Sequence, residues 1–345
     1  MNIDRLHEIL QKGLADEAYP CFAAAVGDKN GIAYRELAGN RAIYPEKLPL
    51  TEDTLFDMAS LSKVIGTTMT ALRMIEEGKL ALHDTLSQYF DNCYDKGETT
   101  VLQLMTHTSG IPSHIKMWEI EGAKPEEAID IILRTPFDYK PGTETVYSCM
   151  GFILLAKILE KIEGEPLSVL AKRYVFDPLG MTTATYCPAP DAVCAATELD
   201  PATNEYICGV VHDENARFLG GISGNAGVFC SLADSIKFAE MLANRGKGFL
   251  SPRLFELAIH DFTPDCSESR GLGFQLKGWK YYPAGDLISY GSYGHTGFTG
   301  TAIYVDNELG RYAVLLTNRV HFGRANGKLM PIRRRWFNVA FMTED

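Results

Sequence analysis

Strand patterning sits at the two ends of this chain, and helical patterning fills the middle. Cys21 to Val26 and Gly31 to Ala38 read as two strands joined by the turn residues Gly27-Asp28-Lys29-Asn30, a hairpin that starts an antiparallel sheet. Strand character then lapses until Gly273 to Leu276, Gly294 to Thr296, Gly300 to Val305 and Tyr312 to Thr317, the last two joined by the turn Asn307-Glu308-Leu309-Gly310. The expectation is an α/β (α+β) chain: an antiparallel sheet flanked by helices, with a mostly helical region inserted into it. The corresponding division is a sheet domain of residues 1–82 plus 225–345 and a mostly helical domain of residues 83–224 with a loop-rich end, the functional site lying at their interface.

Ile3 to Leu14 has apolar residues at helical spacing. The middle region carries helical patterns over Val101–Met105, Glu126–Leu133, Phe152–Ile162 and Leu167–Val175. Helices are expected again over Ala233–Asn244 and from about Asn326 to Met342. A chain of 345 residues suits one compound domain or two intimately joined ones. The net charge of −11 argues against nucleic acid as a partner, since phosphate binding needs a basic stripe. Arg333-Arg334-Arg335 reads as the solvated face of the last helix. Met1 to Asp16 lacks the parts of a signal peptide, and no run of about 18 apolar residues occurs, so no membrane partner and a cytoplasmic location are expected. The eight cysteines form no C-x-x-C pair and no zinc-like spacing, so no metal and no cofactor are expected, and most thiols should pack as small hydrophobes.

The chemistry is sought in Phe56-Asp57-Met58-Ala59-Ser60-Leu61-Ser62-Lys63, which reads as a strand end turning into a helix that runs to about Glu77 and stops at Gly78. Residues three apart on a helix share a face, so the Ser60 hydroxyl should lie beside the Lys63 amine. A serine needs a neighbouring base to become a nucleophile, and a desolvated lysine can be that base. The letters S-x-x-K occur a second time, in Ser113-His114-Ile115-Lys116, but there they follow a Gly-Ile-Pro loop and no long helix grows from them. The glycine-dense Gly220 to Gly227 has no Walker lysine and so does not read as a nucleotide loop. His212-Asp213 could form a catalytic or metal pair, although a histidine holding a loop fits as well, and Asn225 could line a pocket. Tyr147, ahead of Ser148-Cys149 and a helix, could relay a proton. His295-Thr296-Gly297 lies on a strand pattern whose glycine permits close approach.

Taken in order, these stretches resemble the serine β-lactamase and penicillin-binding-protein superfamily, in particular its class C β-lactamase, D,D-carboxypeptidase and esterase branch. Ser60-Leu61-Ser62-Lys63 resembles the family's S-x-x-K, and Leu104 to Pro112 (Leu-Met-Thr-His-Thr-Ser-Gly-Ile-Pro) resembles its L-L-T-H-T-S-G-L-P segment. Pro141-Gly142 with Tyr147-Ser148 resembles P-G-x-x-x-x-Y-S-N, and Asn225 to Phe229 resembles H-A-G-L-F. Val211-His212-Asp213 is similar to the V-H-D segment upstream of that element, and His295-Thr296-Gly297 stands where the family has K-T-G or H-x-G. The resemblance covers nearly the whole chain, from Cys21 to about Asn318, and implies a β-lactamase/transpeptidase-like fold.

It further implies Ser60 as the acylated nucleophile, Lys63 as its base or hydrogen-bond partner, and Tyr147 as the proton shuttle. The N–H groups of Ser60 and Phe298 would form the oxyanion hole, with His295, Thr296, Gly297, Cys149 and Asn225 around the substrate. For Lys63 to act as a base near pH 7 its pKa would have to fall by about three units. Two positions depart from the family: Cys149 replaces the asparagine of Y-x-N, and His295 replaces the lysine of K-T-G. Both changes weaken recognition of an amide and a carboxylate, so the expectation is a serine hydrolase for small-molecule esters, amides or D-amino-acid peptides rather than an efficient β-lactamase. The alternatives are a weak or silent acyl- or penicillin-binding protein on the same fold, or a metal-dependent hydrolase using His212 and Asp213. If neutral His295 is needed, activity should fall as pH drops through about 6.5.

Overall fold

The computed structural model describes residues 1–343. Helix α1 (Ile3–Ala15) starts at Asn2, whose side chain accepts from the Arg5 N–H, and buries Leu6 and Leu10. It leads into β1 (Cys21–Asp28) and β2 (Gly31–Ala42). Asp28 already pairs with Gly31, so the turn is only Lys29-Asn30, tighter than the four residues expected. The strand β3 (Leu48–Pro49) follows, then β4 (Phe56–Asp57) and α2 (Met69–Glu76), the latter continuing a π-helical stretch, Lys63–Thr68.

The middle of the chain carries α3 (Val101–Met105), α4 (Ala128–Arg134), α5 (Cys149–Glu163) and α6 (Leu167–Ala171). A loop-rich stretch holds β5 (Thr185–Tyr186), the small hairpin β6 (Leu199–Asp200) and β7 (Glu205–Tyr206), and α7 (Glu214–Phe218). Then come β8 (Val228–Cys230), α8 (Leu232–Ala243), α9 (Pro252–Ala258), β9 (Gln275–Leu276), β10 (Tyr293–Thr296), β11 (Ala302–Asp306), β12 (Arg311–Thr317) and α10 (Leu329–Phe341).

Both ends of the chain meet in one antiparallel sheet, ordered β3-β2-β1-β12-β11-β10-β9. The junction is β1 against β12, with Ala24 opposite Leu315 and Val26 opposite Ala313. Alternation along β1 explains why this strand reads as a continuous apolar run. Cys21, Ala23 and Ala25 face a core shared with Ile236 and Phe238 of α8, while Phe22, Ala24 and Val26 face one shared with Leu6, Leu10, Trp336 and Phe337 of α1 and α10. The first core is continuous with the helical middle through Ile65, Leu104, Met150 and Leu154.

Two further details depart from the sequence expectation. β9 is shorter than Gly273–Leu276 because the Gly273 N–H donates to the Met105 carbonyl, which pulls that residue out of the sheet and onto α3. The second is a small sheet, β4-β8-β5, that the patterning did not reveal. Its outer strands are only two residues long, too short to show a period. It matters because β8 pairs with β4, the strand that delivers Ser60.

Candidate active site

Ser60 lies between β4 and the π-helical stretch, in a turn closed by the Lys63 N–H donating to the Ser60 carbonyl at 3.1 Å. Ala59, just before it, has a φ of 46°, a left-handed conformation that an alanine adopts only when its surroundings impose it. The imposing group is Asp57: its Oδ1 accepts from the Ala59 N–H at 2.8 Å and its Oδ2 from the His212 N–H at 2.7 Å. Burial pushes the Asp57 carboxyl above its usual range, against those two bonds. The other side of the turn is pinned by the loop after β10. Thr299 Oγ1 donates to the Asp57 carbonyl at 2.7 Å and Thr301 Oγ1 to the Met58 carbonyl at 3.1 Å. A Cβ at Gly297 would fall 2.4 Å from the Met58 carbonyl oxygen and 2.1 Å from Thr301 Oγ1. The space this glycine leaves is therefore filled by the serine turn, not held open for a substrate backbone.

Lys63 is fully buried. Its Nζ lies 3.3 Å from Ser60 Oγ, 3.5 Å from Cys149 Sγ, 2.9 Å from the Asn225 carbonyl oxygen and 4.8 Å from the centre of the Tyr147 ring. Asn225 is buried too and its side chain is turned inward to Ser223, so it serves the site through its carbonyl and does not line the cavity as expected; Ala226 does. Tyr147 and Cys149 arrive with the start of α5, whose N-cap is Ser148. That start is fixed by His107, a residue with a φ of 59°. Its Nδ1 accepts from the Ser148 N–H at 3.1 Å, its carbonyl from the Val146 N–H at 3.0 Å, and its ring lies 4.7 Å from that of Tyr147. The proton on His107 is therefore on Nε2, and burial, with Arg270 and Lys63 nearby, pulls the ring's pKa far down and keeps it neutral.

The electrostatics differ from the expectation at two residues. Burial does pull the Lys63 amine down, but its interactions with the Cys149 and Tyr147 side chains outweigh it, so the amine sits above its ordinary value rather than three units below. Burial raises the Tyr147 phenol against the pull of Lys63. Both groups therefore hold their protons at neutral pH. His295 is driven to about 3, first by burial and then by the charges of Arg270 and Lys63, so it does not titrate near 6.5. Its Nδ1 lies 2.7 Å from the Thr296 carbonyl and its ring 5.8 Å from that of Tyr147.

Among the described residues the N–H groups of Ser60 and Phe298 make no intramolecular hydrogen bond, which leaves both free for a substrate oxygen. Phe298 is half exposed, stacked on His212 at 5.6 Å and on the Arg319 guanidinium at 4.8 Å. In front lies a cavity of about 1120 Å³ lined by Ser60, Tyr147, Cys149, Trp118, Phe218 and Phe298 among others. His212 and Asp213 belong to its wall. The His212 ring bonds Glu198 at 2.9 Å, and Asp213 caps α7 by accepting from the Ala216 N–H. Among the described residues no three His, Cys, Asp or Glu side chains converge as metal ligands. In the second S-x-x-K, Lys116 pairs with Glu119 instead of Ser113. The motifs did not single out Asp57, His107 or Arg270 for the site. His107 stood inside a quoted segment, but nothing in the local sequence marked Arg270, whose buried guanidinium lies 5.6 Å from the Tyr147 ring centre.

An antiparallel sheet closed by both chain ends gathers a serine, a lysine and a tyrosine where helices meet it, and the class this chain falls in is that of the β-lactamase-family serine hydrolases. The family model described as "Beta-lactamase" matches residues 6–333, and the chain belongs to that family. A protein of Escherichia coli K12 named "Putative D-alanyl-D-alanine carboxypeptidase" is 29% identical, the match covering 96% of this chain and 86% of that one. Among solved structures, EstCE1, described as a hydrolase with promiscuous acyltransferase activity, superposes with a TM-score of 0.77 at 21% identity, covering 96% and 98% of the two chains. An octameric penicillin-binding protein homologue from Pyrococcus abyssi gives a TM-score of 0.73 at 23% identity, covering 92% and 74%. Among the described residues no helix is long and apolar enough to cross a membrane.

Proposed function

We propose that Ser60 is the acylated nucleophile of an esterase, or of a hydrolase for short amides and D-amino-acid peptides. The observation that carries this is the single nitrogen of Lys63, within 3.5 Å of both Ser60 Oγ and Cys149 Sγ and 4.8 Å from the Tyr147 ring centre. Ser60 Oγ attacks the carbonyl carbon while its proton passes to the Lys63–Tyr147 pair. The oxygen that becomes negative takes the N–H groups of Ser60 and Phe298, and losing one such donor costs about 3 kcal/mol of barrier. Tyr147 then protonates the leaving group, and a water repeats the sequence in reverse to release the acid. Because Lys63 and Tyr147 both hold their protons at rest, the reactive form is the one in which the pair has lost one.

The substrate side of the proposal rests on chemistry and on relatives. Neutral His295 offers no fixed charge for a carboxylate, and a thiol at Cys149 is a feeble partner for an amide, which favours simple esters. The carboxypeptidase name of the relative keeps D-amino-acid peptides in the substrate class. The same reading takes residues 1–82 plus 225–345 and residues 83–224 as the two parts that form the cleft. The test is hydrolysis of p-nitrophenyl acetate and butyrate alongside D-alanine release from acyl-D-alanyl-D-alanine. Ester turnover that depends on Tyr147 supports the proposal and rules out a silent binding protein; no turnover of either class contradicts it.

A further inference from the structure

Eight cysteines are present and none is in a disulfide. Cys21, Cys93, Cys194 and Cys230 are buried, Cys187 and Cys208 are exposed, and Cys149 and Cys266 are half-buried. Cys149 differs from all the others in what its sulfur meets. Among the described residues it is the one whose Sγ accepts a hydrogen bond from a charged amine, Lys63 Nζ at 3.5 Å. It is also the first residue of the 15-residue helix α5, where backbone dipoles favour negative charge, and it lines the cavity beside Ser60. By contrast, the exposed thiols of Cys187 and Cys208 bond backbone carbonyls, and partial burial raises both, which holds them protonated.

A second observation points to a ligand at this thiol. The hydroxyl of Tyr147, two residues before Cys149 and on the same cavity wall, is buried and has no hydrogen-bond partner. The side chains that act on that phenol are Lys63, Cys149 and the uncharged hydroxyl of Ser60. An unused donor beside a cation-supported sulfur suits an electrophile that carries an oxygen next to the carbon attacked.

We propose that Cys149 is a modification site inside the cleft, taking soft electrophiles of the α,β-unsaturated carbonyl class and thereby switching off chemistry at Ser60. The thiolate bonds to the β-carbon, and the π electrons move onto the carbonyl oxygen as an enolate. Tyr147 or a water supplies the proton that returns the enolate to a ketone or amide. The proton that left the thiol goes to solvent, so the net change is addition of S–H across C=C and no oxidant is needed. The adduct occupies the space in front of Ser60 and removes the sulfur as a partner of Lys63. This inference rests on the proposed role of Ser60 only for its consequence, not for the labelling itself.

The experiment treats the full chain with N-ethylmaleimide at neutral pH and follows each cysteine by peptide mapping. Cys149 should react at least about tenfold faster than Cys187 and Cys208. Ester turnover and labelling of Ser60 by a fluorophosphonate should fall in step with the Cys149 adduct. A C187S/C208S/C266S variant should be inactivated like wild type, whereas Cys149→Ala should keep whatever activity it starts with. The proposal is overturned if Cys149 reacts no faster than the exposed cysteines, or if its adduct forms while Ser60 still takes phosphonate at the untreated rate. Should Ser60 take no phosphonate even before alkylation, the nucleophile assignment fails by itself, and the Cys149 rate ratio still decides the thiol site.

Discussion

At Tyr147 and Lys63 the geometry sets both the direction and the pH dependence of the chemistry. Tyr147→Phe keeps the ring that packs on His107 and removes the hydroxyl. We expect kcat for a nitrophenyl ester to fall by about 10²–10⁴ with little change in melting temperature, read by steady-state kinetics and calorimetry. Because Lys63 and Tyr147 are both shifted upward, log(kcat/KM) should climb steadily from about pH 6 to about pH 9. His295, driven to about 3, should leave no inflection near 6.5, and a bell with an acidic limb there would contradict its neutrality. The sequence singled out the serine, the amine and the phenol because each stands in a recognisable string. It missed the protonation states, since the Cys149 sulfur and the Arg270 guanidinium that help set them come from distant parts of the chain. Asn225 was placed near the site, but its working atom is a backbone oxygen, which side-chain identity cannot signal.

At the level of elements, the serine turn opens a helix at Leu61, as expected, and is also a junction of three strands. β4 supplies it, β8 pairs with β4, and the loop after β10 pins it through Thr299 and Thr301. Gly297 is where two backbones come closest. Gly297→Ala should separate β10 from the turn, lowering stability by about 1–3 kcal/mol and reducing activity more than folding alone accounts for. Denaturant melts beside kinetics on the folded fraction would check this, and wild-type kinetics in the alanine variant would contradict it. The helix α5 was legible from its apolar spacing, yet its start at Cys149 came three residues earlier than the apolar pattern showed. Ser148 caps it, and Cys149 at its first position is half-buried and lines the cavity, so the apolar pattern does not mark the start. The sheet β4-β8-β5 was not legible at all, because a two-residue strand is specified by its partners and not by a pattern.

Across the whole molecule, the cavity wall opposite Ser60 is tied to the C-terminal part of the chain through Glu198. Its carboxylate bonds the His212 ring at 2.9 Å and the Arg324 side chain at 2.9 Å, and Arg324 also reaches Glu214. Burial would push the Glu198 carboxyl up, but the His212 and Arg324 bonds win and hold it at about 2. A depressed carboxylate contributes stability above its unfolded value near 4.5 and loses it as pH falls toward 2. Glu198→Gln should therefore destabilise at neutral pH by about 1–3 kcal/mol, and the two proteins should converge between those values. Equal pH dependence of their melting temperatures would contradict this. That the two chain ends share one sheet was readable from where strand character fell. The register of β1 on β12 was not, because small alanines on both faces of β1 leave little in the sequence to distinguish one face from the other.

The most direct test is the intact mass and peptide map of wild type and Ser60→Ala after treatment with a fluorophosphonate. A single adduct on Ser60, absent from the alanine variant, is expected. Equal labelling of the variant, or an adduct mapped to any other residue, would contradict the assignment of the nucleophile.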